Sequence, residues 1–154
     1  KEQFNQVKRG NHEFVSPACY YAGFIALSEG NYEDAIVDLQ LAEKNSSYQS
    51  IVPFLLATAY FKQNEYVKLI AYTTPLFSKD DLKNKREVGI LTAESHFQLK
   101  EYAKAAELYL TYLDADKTKD ESILYRAGLS FMYAKNFKDA ITYLESAATA
   151  DSEI

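Results

Sequence analysis

Apolar residues along the chain recur on a helical period, in paired stretches. In "YEDAIVDLQLAEK" Ile36, Leu39 and Ala42 follow three-residue steps. In "YAKAAELYLTYL" Ala105, Leu108, Tyr109 and Tyr112 form the i, i+3, i+4, i+7 stripe of a helix with one buried face. A second apolar stretch of helix length precedes each such segment: "PACYYAGFIALSEG" (17–30), "IVPFLLATAYFKQN" (51–64), "VGILTAESHFQLK" (88–100) and "ILYRAGLSFMYAK" (123–135). The junctions carry boundary chemistry. Gly30 suits a left-handed C-cap, and Asn31 suits the next N-cap. Glu33 and Asp34 follow in the first turn, where the helix dipole favours anions, and Ser16–Pro17 reads as an N-cap and first helical residue. The pattern predicts helix, tight turn, helix.

That unit repeats. "EGNYEDAI" (29–36), "QNEYVKLI" (63–70), "LKEYAKAA" (99–106) and "AKNFKDAI" (134–141) share one shape, and their aromatics Tyr32, Tyr66, Tyr102 and Phe137 are 34, 36 and 35 residues apart. Nine residues before each aromatic stands Gly23, Ala57, Ala93 or Gly128, and three after it Ala35, Leu69, Ala105 or Ala140. Glycine within a helix costs about 1 kcal/mol relative to alanine. Two glycines at matching places therefore predict a partner helix too close for a β-carbon. Pro75 interrupts the second helix of the second repeat, removing the donor to the Ala71 carbonyl; a kink or early stop near Thr73–Thr74 is expected. The loop "SKDDLKNK" after it accounts for the 36-residue step. Short helices are marginal alone in water, so each pair must bury its apolar face on its neighbour, with the landmark aromatics as the expected anchors.

The small residue, "GNY" or its variants, and the following alanine, on a period near 34, resemble the tetratricopeptide repeat (TPR) over residues 16–150. The resemblance implies an all-α fold, a right-handed α-solenoid of about four helix-turn-helix repeats (16–49, 50–84, 85–119 and 120–154). Where the family often has a large aromatic near the start of the first helix, this chain has Cys19, Pro53, Gly89 and Leu124, and the closing proline is absent. Residues 1–15 read as a partial helix, the tail of a preceding repeat: Phe4 and Val7 make an apolar stripe, Gly10 and Asn11 end it, and the Phe14–Ser16 junction recurs 34 residues later as Tyr48–Ser50. The last stretch, "ESAATADSEI", shows no polar capping helix, so the native protein is expected to continue at both ends.

In the resembled family the first helices line a concave groove that binds peptides or partner helices. Carried over, the groove positions are Tyr20 and Phe24, Phe54 and Thr58, Ile90 and Glu94, Tyr125 and Leu129. Leu27, Phe61, Phe97 and Met132 extend the same faces but are expected to pack internally. Glu94, the sole charge in the set, reads as a solvated groove residue or a selector for a basic group. Family members that hold a terminal carboxylate use Lys, Asn and Arg. The corresponding places here are Tyr20, Phe24, Leu55, Glu87 and Leu91, so that ligand class is excluded.

Composition narrows the function classes. The chain has 154 residues, 47% hydrophobic, with 17 basic against 22 acidic side chains and a net charge of −5. Nucleic acid is not an expected partner, because phosphate binding needs a basic face. No apolar run is long enough to span a membrane. Cys19 is the only cysteine, and it reads as a small buried hydrophobe. His12 falls in a junction, and His96 takes the place of Tyr60 and Phe131 as a packed ring. The mixed-sign run "KDDLKNKRE" (79–87) reads as a solvated loop, and no phosphate-loop glycine cluster occurs. No catalytic residue, cofactor or metal ligand is expected. The favoured function is a protein-binding scaffold or adaptor taking a peptide or helix of a partner. The alternative is a structural spacer or self-associating module (a homo-oligomer) within a larger protein, with any catalytic domain elsewhere. "ACYYAGFIAL" and "VPFLLATAYFKQNEY" also resemble long bacterial envelope proteins built of such repeats, which implies a periplasmic or envelope-associated site over a cytoplasmic one.

Overall fold

The computed structural model describes residues 15–113 and 120–151 of the chain, and all regular structure among them is helical. In order come α1 (Val15–Ser28), α2 (Tyr32–Glu43), a 3-10 turn (Ser46–Tyr48), α3 (Val52–Lys62) and α4 (Tyr66–Thr73). A second 3-10 turn (Thr74–Ser78) leads to α5 (Lys85–Gln98), α6 (Tyr102–Leu113), α7 (Glu121–Tyr133) and α8 (Phe137–Asp151). The chain divides into two compact units, Lys1–Val88 and Gly89–Ile154. Within the first, α1 packs on α2, α2 on α3 and α3 on α4; within the second, α6 packs on α7 and α7 on α8. Neighbouring helices are thus packed in sequence order, an all-α arrangement compatible with a helical repeat. The expected tail at residues 1–15 lies outside the described residues, save for Val15.

The four helical hairpins among the described residues close with one backbone conformation. Gly30, Asn64, Lys100 and Lys135 are left-handed, with φ of +80°, +58°, +62° and +63°. Their N–H groups donate to the carbonyls of Leu27, Phe61, Phe97 and Met132 at 2.9–3.1 Å. The next N–H in each case, from Asn31, Glu65, Glu101 and Asn136, reaches back to Ala26, Tyr60, His96 and Phe131 at 2.8–2.9 Å. This pair of bonds satisfies the last carbonyls of a helix by the Schellman arrangement. The carbonyls of Asn31, Glu65, Glu101 and Asn136 then accept the first bond of the second helix. Asn31 does occupy an N-cap position, but its side chain makes no cap bond and donates instead to Glu29 at 3.3 Å.

The small residues do what the pattern predicted. A β-carbon at Gly23 would lie 2.7 Å from Leu39 Cγ, and one at Gly128 would lie 2.7 Å from Leu144 Cγ. Each glycine lets α1 or α7 close on its own hairpin partner. Ala35, Leu69, Ala105 and Ala140 are all buried, and so are Leu39, Thr73 and Tyr109, seven residues after their landmarks. In the second unit Ala93, Ala105, Tyr109, Ile123 and Ala127 form one core cluster, with Ala106, Phe131 and Ala140 beside it.

Several expectations need correction. The landmark aromatics are not the buried anchors: Tyr32, Tyr66 and Tyr102 are only half-buried, and Phe137 is 62% exposed. Tyr66 and Tyr102 instead pack edge-on against Phe61 and Phe97 at 5.5 and 5.3 Å, each closing its own turn. Burial falls one helical turn or two deeper, at Ala35, Leu69, Ala105 and Ala140 and at Leu39, Thr73 and Tyr109. Ser16 and Pro17 lie inside α1, which already includes Val15. The run 79–87 is not wholly a solvated loop. Leu82 is buried, Lys83 N–H donates to the Ser50 carbonyl at 2.9 Å, and α5 takes up residues 85–87. Pro75 acts as expected: α4 stops at Thr73 and the chain tightens into a 3-10 turn.

Candidate functional site

The carried-over groove positions lie on the first helix of each hairpin, two pairs in each unit. In the first unit α1 and α3 touch, and both present aromatic rings. Tyr20 is half-buried and packs on Tyr21 at 5.3 Å and on Tyr48 at 5.2 Å. Phe24, one turn on, is 49% exposed. Phe54 and Thr58 are half-buried on α3, and the Thr58 hydroxyl donates to the Phe54 carbonyl at 2.8 Å. That internal bond leaves the face of α3 mainly apolar.

In the second unit Ile90 is half-buried against the core cluster, and Leu129 is half-buried on α7. Tyr125 is 52% exposed. Glu94 is different from either sequence reading. Its carboxylate is mostly buried and has two partners from neighbouring helices: the Tyr109 hydroxyl of α6 donates to it at 2.5 Å, and Arg126 Nε of α7 at 3.1 Å. Glu94 is thus neither solvated nor short of a cation. Burial first, then the adjoining Glu94 carboxylate, pushes the Tyr109 phenol far above its ordinary range, so it remains a donor. The Arg126 guanidinium lies over the Phe97 ring, 4.8 Å from its centroid, which adds a cation–π contact.

Sequence reasoning missed Arg126. The available signal was its register: the corresponding places in the other repeats hold Tyr21, Leu55 and Leu91, so Arg126 is the one cation in that row. Tyr48, which supports Tyr20, lies in the 3-10 turn; its recurrence 34 residues after Phe14 marked a junction but not a contact with the groove face. The structure also joins two rings across hairpins: Tyr133, 51% exposed, stacks on Tyr102 at 4.8 Å.

Outside these faces, His96 is buried as expected, and its Nδ1 meets Glu101 Oε2 at 2.5 Å. Glu101 also accepts from Lys104 at 3.1 Å. The hydrogen bond to His96 first, and then Lys104, hold the Glu101 carboxyl below its ordinary range. Cys19 is fully buried in α1. No group of three or more His, Cys, Asp or Glu among the described residues is placed to hold a metal ion. No helix among them is long and apolar enough to cross a membrane. Compared with known families and curated proteins, the chain matches no family model and no curated sequence.

Proposed function

We propose that the chain is a TPR-type interaction scaffold, a right-handed α-solenoid whose first helices bind an extended or helical segment of another protein. It is not itself an enzyme in this reading. The carrying observation is the division of labour along α1 and α7. Small residues such as Gly23 and Gly128 take the buried side against the second helix, while Phe24 and Tyr125 keep about half their surface in water. A ring held on a rigid helix loses little freedom on binding, and its burial is worth roughly 1.5–3 kcal/mol. The repeated hairpin closure supports the same reading, since a fixed joint presents the rings on a preformed frame. Arg126 already neutralises Glu94, so a mainly apolar segment suits the second unit's face better than a basic one.

The test selects peptides from a random library on the intact chain and measures their affinity by fluorescence anisotropy. Phe24→Ala and Tyr125→Ala, with unchanged circular dichroism, should each weaken selected peptides by about tenfold or more, the scale of a single aromatic anchor. Failure to enrich any peptide, or peptides indifferent to both substitutions, overturns the reading. Light scattering that reveals a concentration-dependent dimer would favour the self-association alternative instead.

A further inference from the structure

A recess recurs where the turn of one hairpin meets the end of the next hairpin's first helix. In the first unit it is a hollow of about 320 Å³ between Gly30–Asp34 and Gln63, past the end of α3. In the second it is a hollow of about 440 Å³ between Lys100–Lys104 and Tyr133–Ala134, at the end of α7. The two coincide place for place. Counted from the landmark aromatics, Gly30 matches Lys100, Tyr32 matches Tyr102, Asp34 matches Lys104 and Gln63 matches Ala134. The fold makes the recess, and the side chains set its charge.

That charge is reversed between the units. The turn segments of the first, 29–36 and 63–70, carry Glu29, Glu33, Asp34 and Glu65 against Lys68. Those of the second, 99–106 and 134–141, carry Lys100, Lys104, Lys135 and Lys138 against Glu101 and Asp139, in a chain whose net charge is −5. Both of these acids are already engaged, Glu101 with His96 and Lys104, and Asp139 with Asn136 Nδ2 at 2.7 Å. Lys100 is exposed and has no ion-pair partner among the described residues. Beside it Tyr102 and Tyr133 stack at 4.8 Å, and neither phenol is hydrogen-bonded among the described residues. We infer that the second unit's recess docks an acidic segment of a partner protein, with a carboxylate at Lys100 and Lys104 and the adjoining apolar part on the Tyr102–Tyr133 wall.

Charge complementarity selects this occupant. A glutamate or aspartate would accept from the lysine ammonium groups, and the low charge of the surrounding rings favours a segment that is part acidic, part apolar. A nucleic acid needs a row of phosphate contacts, which a few lysines interspersed with acids do not supply. A membrane surface is met by apolar side chains that project into it, whereas these rings line a hollow and stack on one another. Further chain is not the expected cover either. The recess is completed by α6 and α7, and the segment that joins those helices leaves from their opposite ends. Packing in sequence order would set a following hairpin on α8, which contributes no residue to the recess. The site lies at the turns, so its test is independent of the first-helix reading.

The probe is a rhodamine-labelled peptide of alternating glutamate and phenylalanine, added to the whole protein and followed by anisotropy. Saturable binding that weakens as salt rises is expected, and replacing every glutamate by glutamine should weaken it by about tenfold or more. Lys100→Glu should cost about three- to tenfold, the scale of a surface ion pair turned to repulsion, while Lys100→Arg retains binding. Lys62→Glu, the same change of charge beside the first unit's recess, should leave it unaltered. The proposal is overturned by no binding, by equal affinity for the glutamine probe, or by equal losses in Lys62→Glu and Lys100→Glu, which would mean that only net charge is read. Loss of the probe in Tyr125→Ala but not in Lys100→Glu would place it in the first-helix groove instead. Two further results would reassign the recess: phosphatidylserine vesicles captured through Lys100 in place of the peptide, or a dimer dispersed by Lys100→Glu.

Discussion

Glu101 shows how much one side chain can tie together at a turn. Its N–H donates to the His96 carbonyl, its own carbonyl starts α6, and its carboxylate meets His96 Nδ1 and Lys104 Nζ. The hydrogen bond from His96 is the main reason its carboxyl is held below the ordinary carboxylate range, with Lys104 second. A depressed folded value means that the contribution is fully present above the unfolded carboxylate range. It is lost as pH falls through the lower, folded value. The group is solvent-exposed, so screening keeps the effect small and salt-sensitive. Thermal melts of the wild type and Glu101→Gln should therefore differ at neutral pH, with the wild type more stable. The gap should close as pH drops below the carboxylate range. A gap of constant size from neutral to strongly acid pH would show that the carboxylate's charge plays no part.

At the level of the element, the hairpin closures separate what was legible in the sequence from what was not. Gly30 announced its left-handed turn because glycine alone enters that region without cost, and Pro75 announced the end of α4 for the opposite reason. Lys100 and Lys135 take the same conformation with no such signal, since lysine has no preference for it; only the 34–36-residue register marks them. The buried Leu82 was hidden among charges, because a single apolar residue has no period. The candidate faces were legible as rows, for rows follow from helical spacing. The Glu94–Arg126 pair was not, because it depends on two side chains 32 positions apart reaching one another across helices. The strained turns suggest a stabilising change. A left-handed residue with a β-carbon costs about 1–2 kcal/mol, partly offset by glycine's greater freedom when unfolded. Lys135→Gly should therefore stabilise the chain by about 0.5–1 kcal/mol, read from urea denaturation. Gly30→Ala should destabilise it by a similar amount, and a loss of stability in Lys135→Gly would show that the turn is held by its side chain instead.

Across the whole molecule, stability in chains of stacked hairpins is close to a sum of local terms, so the weakest hairpin should open first. The sum is uneven here. Most hairpins place a large apolar group seven residues after the landmark: Leu39, Tyr109 and Leu144. The second has Thr73, which fills less volume and brings a hydroxyl into a fully buried place. Its helix, α4, is also the shortest among the described residues, eight residues against 12 for α2 and α6. Pro75 then withholds the donor that would have carried the helix past Thr73, and Ala71, Thr74 and Pro75 face water. Few buried contacts and a truncated ladder together make α4 the expected site of local opening. In native-state hydrogen exchange, amides 70–73 should exchange faster than amides 39–42 and 106–109 under the same conditions. Equal protection across all three segments would mean that the hairpins open only together, and that local composition does not set where the chain yields.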